Sequence, residues 1–165
     1  MNIQRTLNHL LAGRWQVRRR FPKDSMARIE AAIGQSEHTH MGELRFAVEA
    51  GLDWPELVTG TSAHQRALQV FSDLRVWDTE HNSGVLIYLL LADRDVEIVA
   101  DRGIHTRVGA ASWEAICHDM EAHFRSGAFE QGVLHGIAAI ASLLQQHFPA
   151  QGKNPNELPD HPVTL

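Results

Sequence analysis

One cysteine, Cys117, stands in a chain of 165 residues, so no intrachain disulfide can form. No apolar run approaches the roughly 20 residues that a membrane-crossing helix requires. The apolar segment from Leu7 to Ala12 is too short for a secretory leader, and no small-residue cleavage site follows it. A cytoplasmic location is the simplest expectation. The chain has no Gly-x-x-x-x-Gly-Lys phosphate loop, no Gly-x-Ser-x-Gly elbow and no His-Glu-x-x-His pair. It also lacks the Cys-x-x-x-x-x-Arg loop of cysteine phosphatases. Cys117 falls on the apolar helical face Trp113–Cys117–Met120–Phe124, where a buried thiol is inert. No internal repeat is visible.

What is present is ordinary for a soluble domain: 44% hydrophobic and 21% charged residues. The net charge of −5 conceals an asymmetry. Residues 1–28 carry seven basic residues against one acid, and the remainder carries eight against nineteen. A basic arm thus precedes an acidic body, and an acidic body argues against general nucleic-acid binding.

The periodicity orders the elements. Ile3, Leu7, Leu10, Leu11 and Trp15 recur at helical spacing, so residues 1–15 read as an amphipathic helix, followed by a basic connector to Phe21. A helix over Met26 to Ser36 precedes a strand, Glu43 to Glu49, with Leu44, Phe46 and Val48 on one side. After a helix capped by Thr61 or Ser62 comes the run Val85 to Ala92. It is too continuous for a strand with one wet face and suits one buried on both. A short charged turn and the alternating segment Val96 to Ala100 complete a β-hairpin. The hairpin sets Asn82-Ser83-Gly84 beside Asp101-Arg102-Gly103. Helices over 112–126 and 129–148 follow, and residues 150–165, with Pro155, Pro159 and Pro162, read as an extended or disordered tail. Strands separated by a helix favour a parallel pair with a right-handed crossover. The expected fold is α/β: a three-layer α/β/α sandwich with a small mixed sheet. The expected divisions are an arm (1–21), a domain (22–149) and a tail (150–165). The expected core holds Phe46, Val48, Phe71, Val85, Leu86, Ile87, Leu89 and Leu90.

Several segments in this order resemble the TPM-domain family. They are Ala67-Leu-Gln-Val-Phe-Ser-Asp-Leu-Arg-Val-Trp-Asp-Thr79, Asn82-Ser-Gly-Val-Leu-Ile-Tyr88 and Glu97-Ile-Val-Ala-Asp-Arg-Gly-Ile104. Ser36-Glu-His-Thr-His-Met-Gly-Glu-Leu-Arg45, Trp113-Glu-Ala-Ile116, Phe124-Arg-Ser-Gly-Ala-Phe-Glu-Gln-Gly132 and His147-Phe-Pro149 continue the likeness. The resemblance spans residues 22 to 149 and implies the α/β/α sandwich. It also implies an acidic turn at Asp101, divalent-cation binding and, for some members, acid phosphatase activity.

If strands 43–49 and 85–92 are parallel, their amino-terminal ends share one edge, which collects Glu37, Glu43, Asp78, Asn82 and Asp101. Hard cations take several oxygen ligands, so this edge is the candidate site for Ca²⁺ or Mg²⁺. Glu43, Asp101, Glu37 and Asp78 would be ligands, with Asp101 and Asn82 carrying the chemistry. The same residues also suit turns and helix caps. Two functions follow: a metal-dependent phosphatase acting on phosphomonoesters, or a non-catalytic binding module for a membrane-associated protein partner with a structural divalent cation. The Asp93-x-Asp95 sequence fails as a haloacid-dehalogenase motif, because a second strand follows at once, and it reads as a charged hairpin turn. Glu37, His38 and His40, and likewise Glu114, His118 and Glu121, read as solvated surface. Trp54, Trp77 and Trp113 read as core or rim packing. In the arm, Trp15, Arg18, Arg19 and Arg20 offer a contact. Either the apolar stripe packs on the domain or on a second copy, or it lies on a membrane surface with the arginines near anionic lipid.

Overall fold

The computed structural model describes residues 3–165; the first two residues of the expected arm lie outside the described residues. In chain order come α1 (Ile3–Leu10), α2 (Arg14–Arg20), α3 (Lys23–Glu37), β1 (Glu43–Glu49), α4 (Trp54–Thr59) and α5 (Ala63–Asp73). Then come β2 (Gly84–Leu90), β3 (Asp95–Ala100), α6 (Arg102–Val108), α7 (Ala110–Arg125), α8 (Phe129–His147) and β4 (Val163–Thr164). The sheet order is β3-β2-β1-β4. Strand β1 runs parallel to β2 and to β4, and β2–β3 is the antiparallel hairpin. The mixed sheet between helices is the α/β/α sandwich expected from the sequence.

Strands β1, β2 and β3 each contribute to two cores because their side chains alternate between faces. Leu44, Phe46, Val48, Val85, Ile87 and Leu89 face α3, α7 and α8. Ala47, Leu86, Tyr88, Leu90 and Val99 face α5 and the C-terminal segment. All seven residues of β2 are buried, as its unbroken apolar run requires. Phe71 is half-buried at the margin of the second core, not at its centre.

The polar residues of β1 are also buried, each against a partner. Glu49 accepts both Arg66 Nε and Nη2 at 2.9 Å and the Tyr88 hydroxyl at 2.5 Å. Arg45 donates to the carbonyls of Pro159 and His161. Glu43 accepts backbone N–H groups from Glu157 and Leu158 at 3.1 Å each. The tail is therefore extended and docked: Leu158 is buried, and β4 completes the sheet edge beside Ala47 and Val48.

The arm departs from the single helix read in the sequence. The chain breaks between α1 and α2, and α1 docks by its polar face. His9 is 3% exposed; its Nε2 lies 3.0 Å from Asp93 Oδ1, and its Nδ1 accepts the Leu52 N–H at 2.9 Å. Arg5 Nε donates to Asp93 Oδ2 at 3.0 Å. With the polar face turned inward, Ile3, Leu7, Leu10, Leu11 and Trp15 are left 48–73% exposed. The apolar stripe thus does not pack on the domain. Among the described residues no helix is long and apolar enough to cross a membrane.

Candidate functional site

The parallel register pairs Glu43 with Gly84, and Val85 pairs with Ala100 across the hairpin. Glu43, Gly84 and Asp101 therefore lie abreast at the amino-terminal edge of β1 and β2, where Asp101 N–H donates to Gly84 O at 2.8 Å. Residues abreast share a face, so Glu43 and Asp101 flank Gly84 at a backbone separation of about 10 Å, two strand spacings. Gly84 lies under the chain that returns from α5. A Cβ there would sit 1.9 Å from the Val76 carbonyl oxygen, so only glycine fits.

On one side, Asp101 caps α6, its Oδ1 accepting the Arg102 N–H at 2.6 Å. Gly103 lets α6 start directly on the preceding turn: a Cβ would fall 2.6 Å from the Asn82 carbonyl oxygen. Asn82 is exposed in a left-handed conformation, φ 51°, which asparagine tolerates better than most residues. Sequence reasoning placed Asn82 and Asp101 together, and they are together. Asp78 is exposed on the same connection; its N–H donates to Arg75 O at 2.9 Å, and its carboxylate makes no hydrogen bond or ion pair among the described residues.

On the other side, Glu37 and Glu43 open on a cleft of about 420 Å³ that Asn154, Asn156 and Asp160 of the tail complete. Glu37 Oε1 accepts the Leu44 N–H at 2.8 Å. Burial, with added like charge from Glu43 and Asp160, pushes the Glu37 carboxyl up to about 8. Burial also raises Glu43. Sequence reasoning missed the three tail residues, although amides and a carboxylate at 154, 156 and 160 are oxygen donors of the type it sought.

Glu37 and His40 are not solvated surface: they are 7% and 0% exposed. His40 Nδ1 accepts the Gly42 N–H at 3.2 Å, which leaves the ring proton on Nε2. Burial holds this imidazole down to about 4, so it is neutral. The second cluster is surface as expected, with His118 and Glu121 paired at 3.7 Å on α7. Trp113 is core at 4% exposure, whereas Trp54 and Trp77 are about half exposed, at 55% and 50%. Cys117 is half-buried, and burial pushes its thiol up to about 12, too high for nucleophilic use.

The chemistry of the edge shows in its unpartnered atoms. Glu43 Oε1, Ser83 Oγ, Asp101 Oδ2 and His40 Nε2 are buried without a hydrogen-bond partner in the protein. Buried polar atoms are ordinarily satisfied, so four at one end of the sheet mark a place where polar matter belongs. Three are oxygens on three adjacent strand ends. Among the described residues no three His, Cys, Asp or Glu side chains converge to hold a metal by themselves. A cation here would draw on one or two carboxylates plus hydroxyl, amide and carbonyl oxygens, a donor set that suits a hard ion.

A family model described as the TPM domain matches residues 19–143. It thus ends before the tail that closes the Glu37 cleft. The BA42 protein of the psychrophilic bacterium Bizionia argentinensis, solved by NMR, is similar: TM-score 0.76, 28% identity, covering 86% of this chain and 92% of that one. The N-terminal domain of a P. gingivalis protein shares the fold at TM-score 0.62 and 18% identity, covering 79% of this chain and 82% of that one. No curated protein matches the chain.

Proposed function

The chain belongs to the TPM domain family, and on that footing we propose that it is a divalent-cation-dependent phosphomonoesterase working from the amino-terminal edge of its sheet. The observation that supports this reading is the set of unpartnered buried oxygens, Glu43 Oε1, Ser83 Oγ and Asp101 Oδ2. Glu43 and Asp101 would hold a Ca²⁺ or Mg²⁺ ion with oxygens they do not use to hold the fold. The ion, when bound, supplies charge that polarises a phosphoryl oxygen. Asn82, exposed on the adjoining turn, orients a substrate oxygen or a water through its amide. The tail residues Asn154, Asn156 and Asp160 wall off the neighbouring cleft and limit which leaving groups approach from that side.

The test is turnover of p-nitrophenyl phosphate with Ca²⁺, Mg²⁺, Mn²⁺ or EDTA, in wild type, Glu43→Gln and Asp101→Asn. Asparagine keeps the helix cap and removes only the charge, so a loss of activity in Asp101→Asn without a loss of stability is the expected result. Activity that survives EDTA and both substitutions rules the reading out.

A second reading has its own support. Asp101 Oδ1 and Glu43 Oε2 are already committed to backbone N–H groups. A cation on their other oxygens would therefore brace α6 and the tail without chemistry, in a binding module for a protein partner. Cation-dependent stability with no turnover selects this reading.

A further inference from the structure

At the pole opposite the acidic edge, α1 and α2 lie past the ends of β1 and β2, with His9 against Leu52 and Asp93 and Val17 in the core. We propose that this helix pair is an interfacial membrane-docking element for an anionic phospholipid surface, with lipid phosphates received in the arginine-lined cleft beside it.

The apolar half of the case is the inverted docking of α1. The Arg5 and His9 contacts to Asp93 fix the helix by its polar face. Ile3, Leu7, Leu10 and Leu11 follow the spacing of one helical face and are exposed, and Trp15, exposed at the start of α2, lines one cleft with Leu11. Five large apolar side chains held in water while the helix docks by its polar face are not a failed core. Such a set, with a tryptophan among it, is what an element lying in a headgroup layer presents.

The charged half is that cleft, about 550 Å³, where Leu11 and Trp15 meet Arg19, Arg20 and Arg94. Neither the Arg19 nor the Arg94 guanidinium makes a hydrogen bond or ion pair among the described residues, and the Arg20 guanidinium lies 4.9 Å over the Phe129 ring. The one acid lining the cleft, Asp93, is already matched by Arg5 and His9. Arg14 and Arg18 add two more exposed cations on α2. Guanidinium groups with free donors suit phosphate, and a polybasic patch beside an apolar face is the combination that anionic leaflets attract.

Charge decides between the occupants. A second copy meeting this face would bring two arginine clusters together, whereas an anionic surface neutralises them. Glu37, Glu43 and Asp160 lie at the far pole, away from the lipid. Of the acids at the arm's own pole, Asp93 is paired with Arg5 and His9, and Asp53, Glu56 and Asp95 oppose the attraction, which keeps the docking reversible and sensitive to salt.

The experiment is co-sedimentation of the full-length chain with vesicles of phosphatidylcholine alone or in equal parts with phosphatidylglycerol, at low and physiological salt. Quenching of Trp15 by brominated lipid is read in parallel. Binding is expected only to the anionic vesicles, weakened by salt. It is expected to fall about fivefold for each of Arg18, Arg19 and Arg20 changed to Gln, and to be lost in Leu7→Asp/Leu11→Asp. Trp77→Ser, another exposed aromatic, leaves it unchanged. Melting midpoints near wild type verify that the variants fold, and quenching lost in Trp15→Phe assigns the contact independently of them. The proposal is overturned if the chain stays in the supernatant with anionic vesicles at low salt. It is also overturned if inorganic phosphate at matched ionic strength abolishes binding that ignores the leucine substitutions. A dimer that the leucine substitutions dissociate, with no vesicle binding, overturns it in favour of a second copy.

Discussion

Glu43 Oε2 accepts the backbone N–H of Leu158 at 3.1 Å, and through this contact the first strand holds the last segment of the chain. Arg45, two residues on and 7% exposed, completes the clasp by donating to the Pro159 and His161 carbonyls. The tail is therefore a docked structural segment, ending in β4, rather than an appendage. It contributes three of the residues around the Glu37 cleft.

Removing residues 150–165 deprives Arg45 and Glu43 of these partners and uncovers the core that Leu158 and β4 close. Lost charge-assisted hydrogen bonds and exposed apolar surface add, so truncation is expected to cost about 3 kcal/mol in urea unfolding. Arg45→Met in the intact chain is expected to cost less, because it removes the charge together with its need for partners. Equal unfolding midpoints for the full and truncated chains would show the clasp to be idle.

The network around Glu49 gives a second measurable term. Its carboxylate takes two N–H groups of Arg66 and the hydroxyl of fully buried Tyr88. Tyr88→Phe leaves the shape intact and removes one charge-assisted hydrogen bond, an expected loss of about 1–3 kcal/mol. Arg66→Ala is expected to cost more, since it leaves a nearly buried carboxylate unpaired. A double-mutant cycle reads the coupling. Additive losses would mean that the two donors act on Glu49 independently.

Stability is expected to fall as pH rises from 6.5 to 8. Glu37 is raised from 4.5 to about 8 in the folded chain, so between those values the folded state holds a proton that the unfolded state has released. Where the folded state binds more protons, stability declines with rising pH. Below 6.5 the neutral His40, lowered to about 4, acts in the opposite direction, and the interval from 6.5 to 8 isolates Glu37. Glu37→Gln, followed by chemical denaturation in EDTA, is expected to flatten this slope and to stabilise the chain near pH 8. A slope unchanged by the substitution assigns the dependence to another group.

Much of this was legible in the sequence, for reasons that separate the elements. The β2–β3 hairpin and the parallel pairing of β1 and β2 follow from apolar runs and crossover handedness, which side chains encode directly. Asn82 and Asp101 were placed together because a hairpin must bring its ends together. The tail was not legible: its contacts are the N–H of Leu158 and the carbonyls of Pro159 and His161, backbone groups that any residue carries. The arm was legible as helical and amphipathic, but neither in its break between α1 and α2 nor in its orientation, which Asp93 decides from 84 positions beyond His9. Glu37 and His40 read as surface because a short polar stretch carries no mark of what will fold over it.

A divalent ion at the edge is expected to raise the melting midpoint by mass action on the native state, about 2.7 kcal/mol at a hundredfold excess over Kd. Glu43→Gln and Asp101→Asn are each expected to reduce the shift while leaving the ion-free midpoint close to wild type. Calorimetric scans in EDTA, Ca²⁺ and Mg²⁺ check it. A midpoint that no divalent ion moves would restrict these carboxylates to capping α6 and clasping the tail.

Gly103→Ala tests the edge by geometry without touching a donor. The added Cβ would fall 2.6 Å from the Asn82 carbonyl oxygen and 2.8 Å from that of His81. Both are backbone atoms, so the turn and the start of α6 must move apart. That overpacking is expected to cost about 1–3 kcal/mol, modest beside the effect on the site, since the displacement separates Asn82 from Asp101. If the two residues work as one site, the ion-induced rise in melting midpoint and any phosphatase turnover should both collapse in this variant while the chain stays folded. If turnover and the ion shift persist at wild-type size in a measurably destabilised Gly103→Ala chain, Asn82 and Asp101 are neighbours in space and not partners in function.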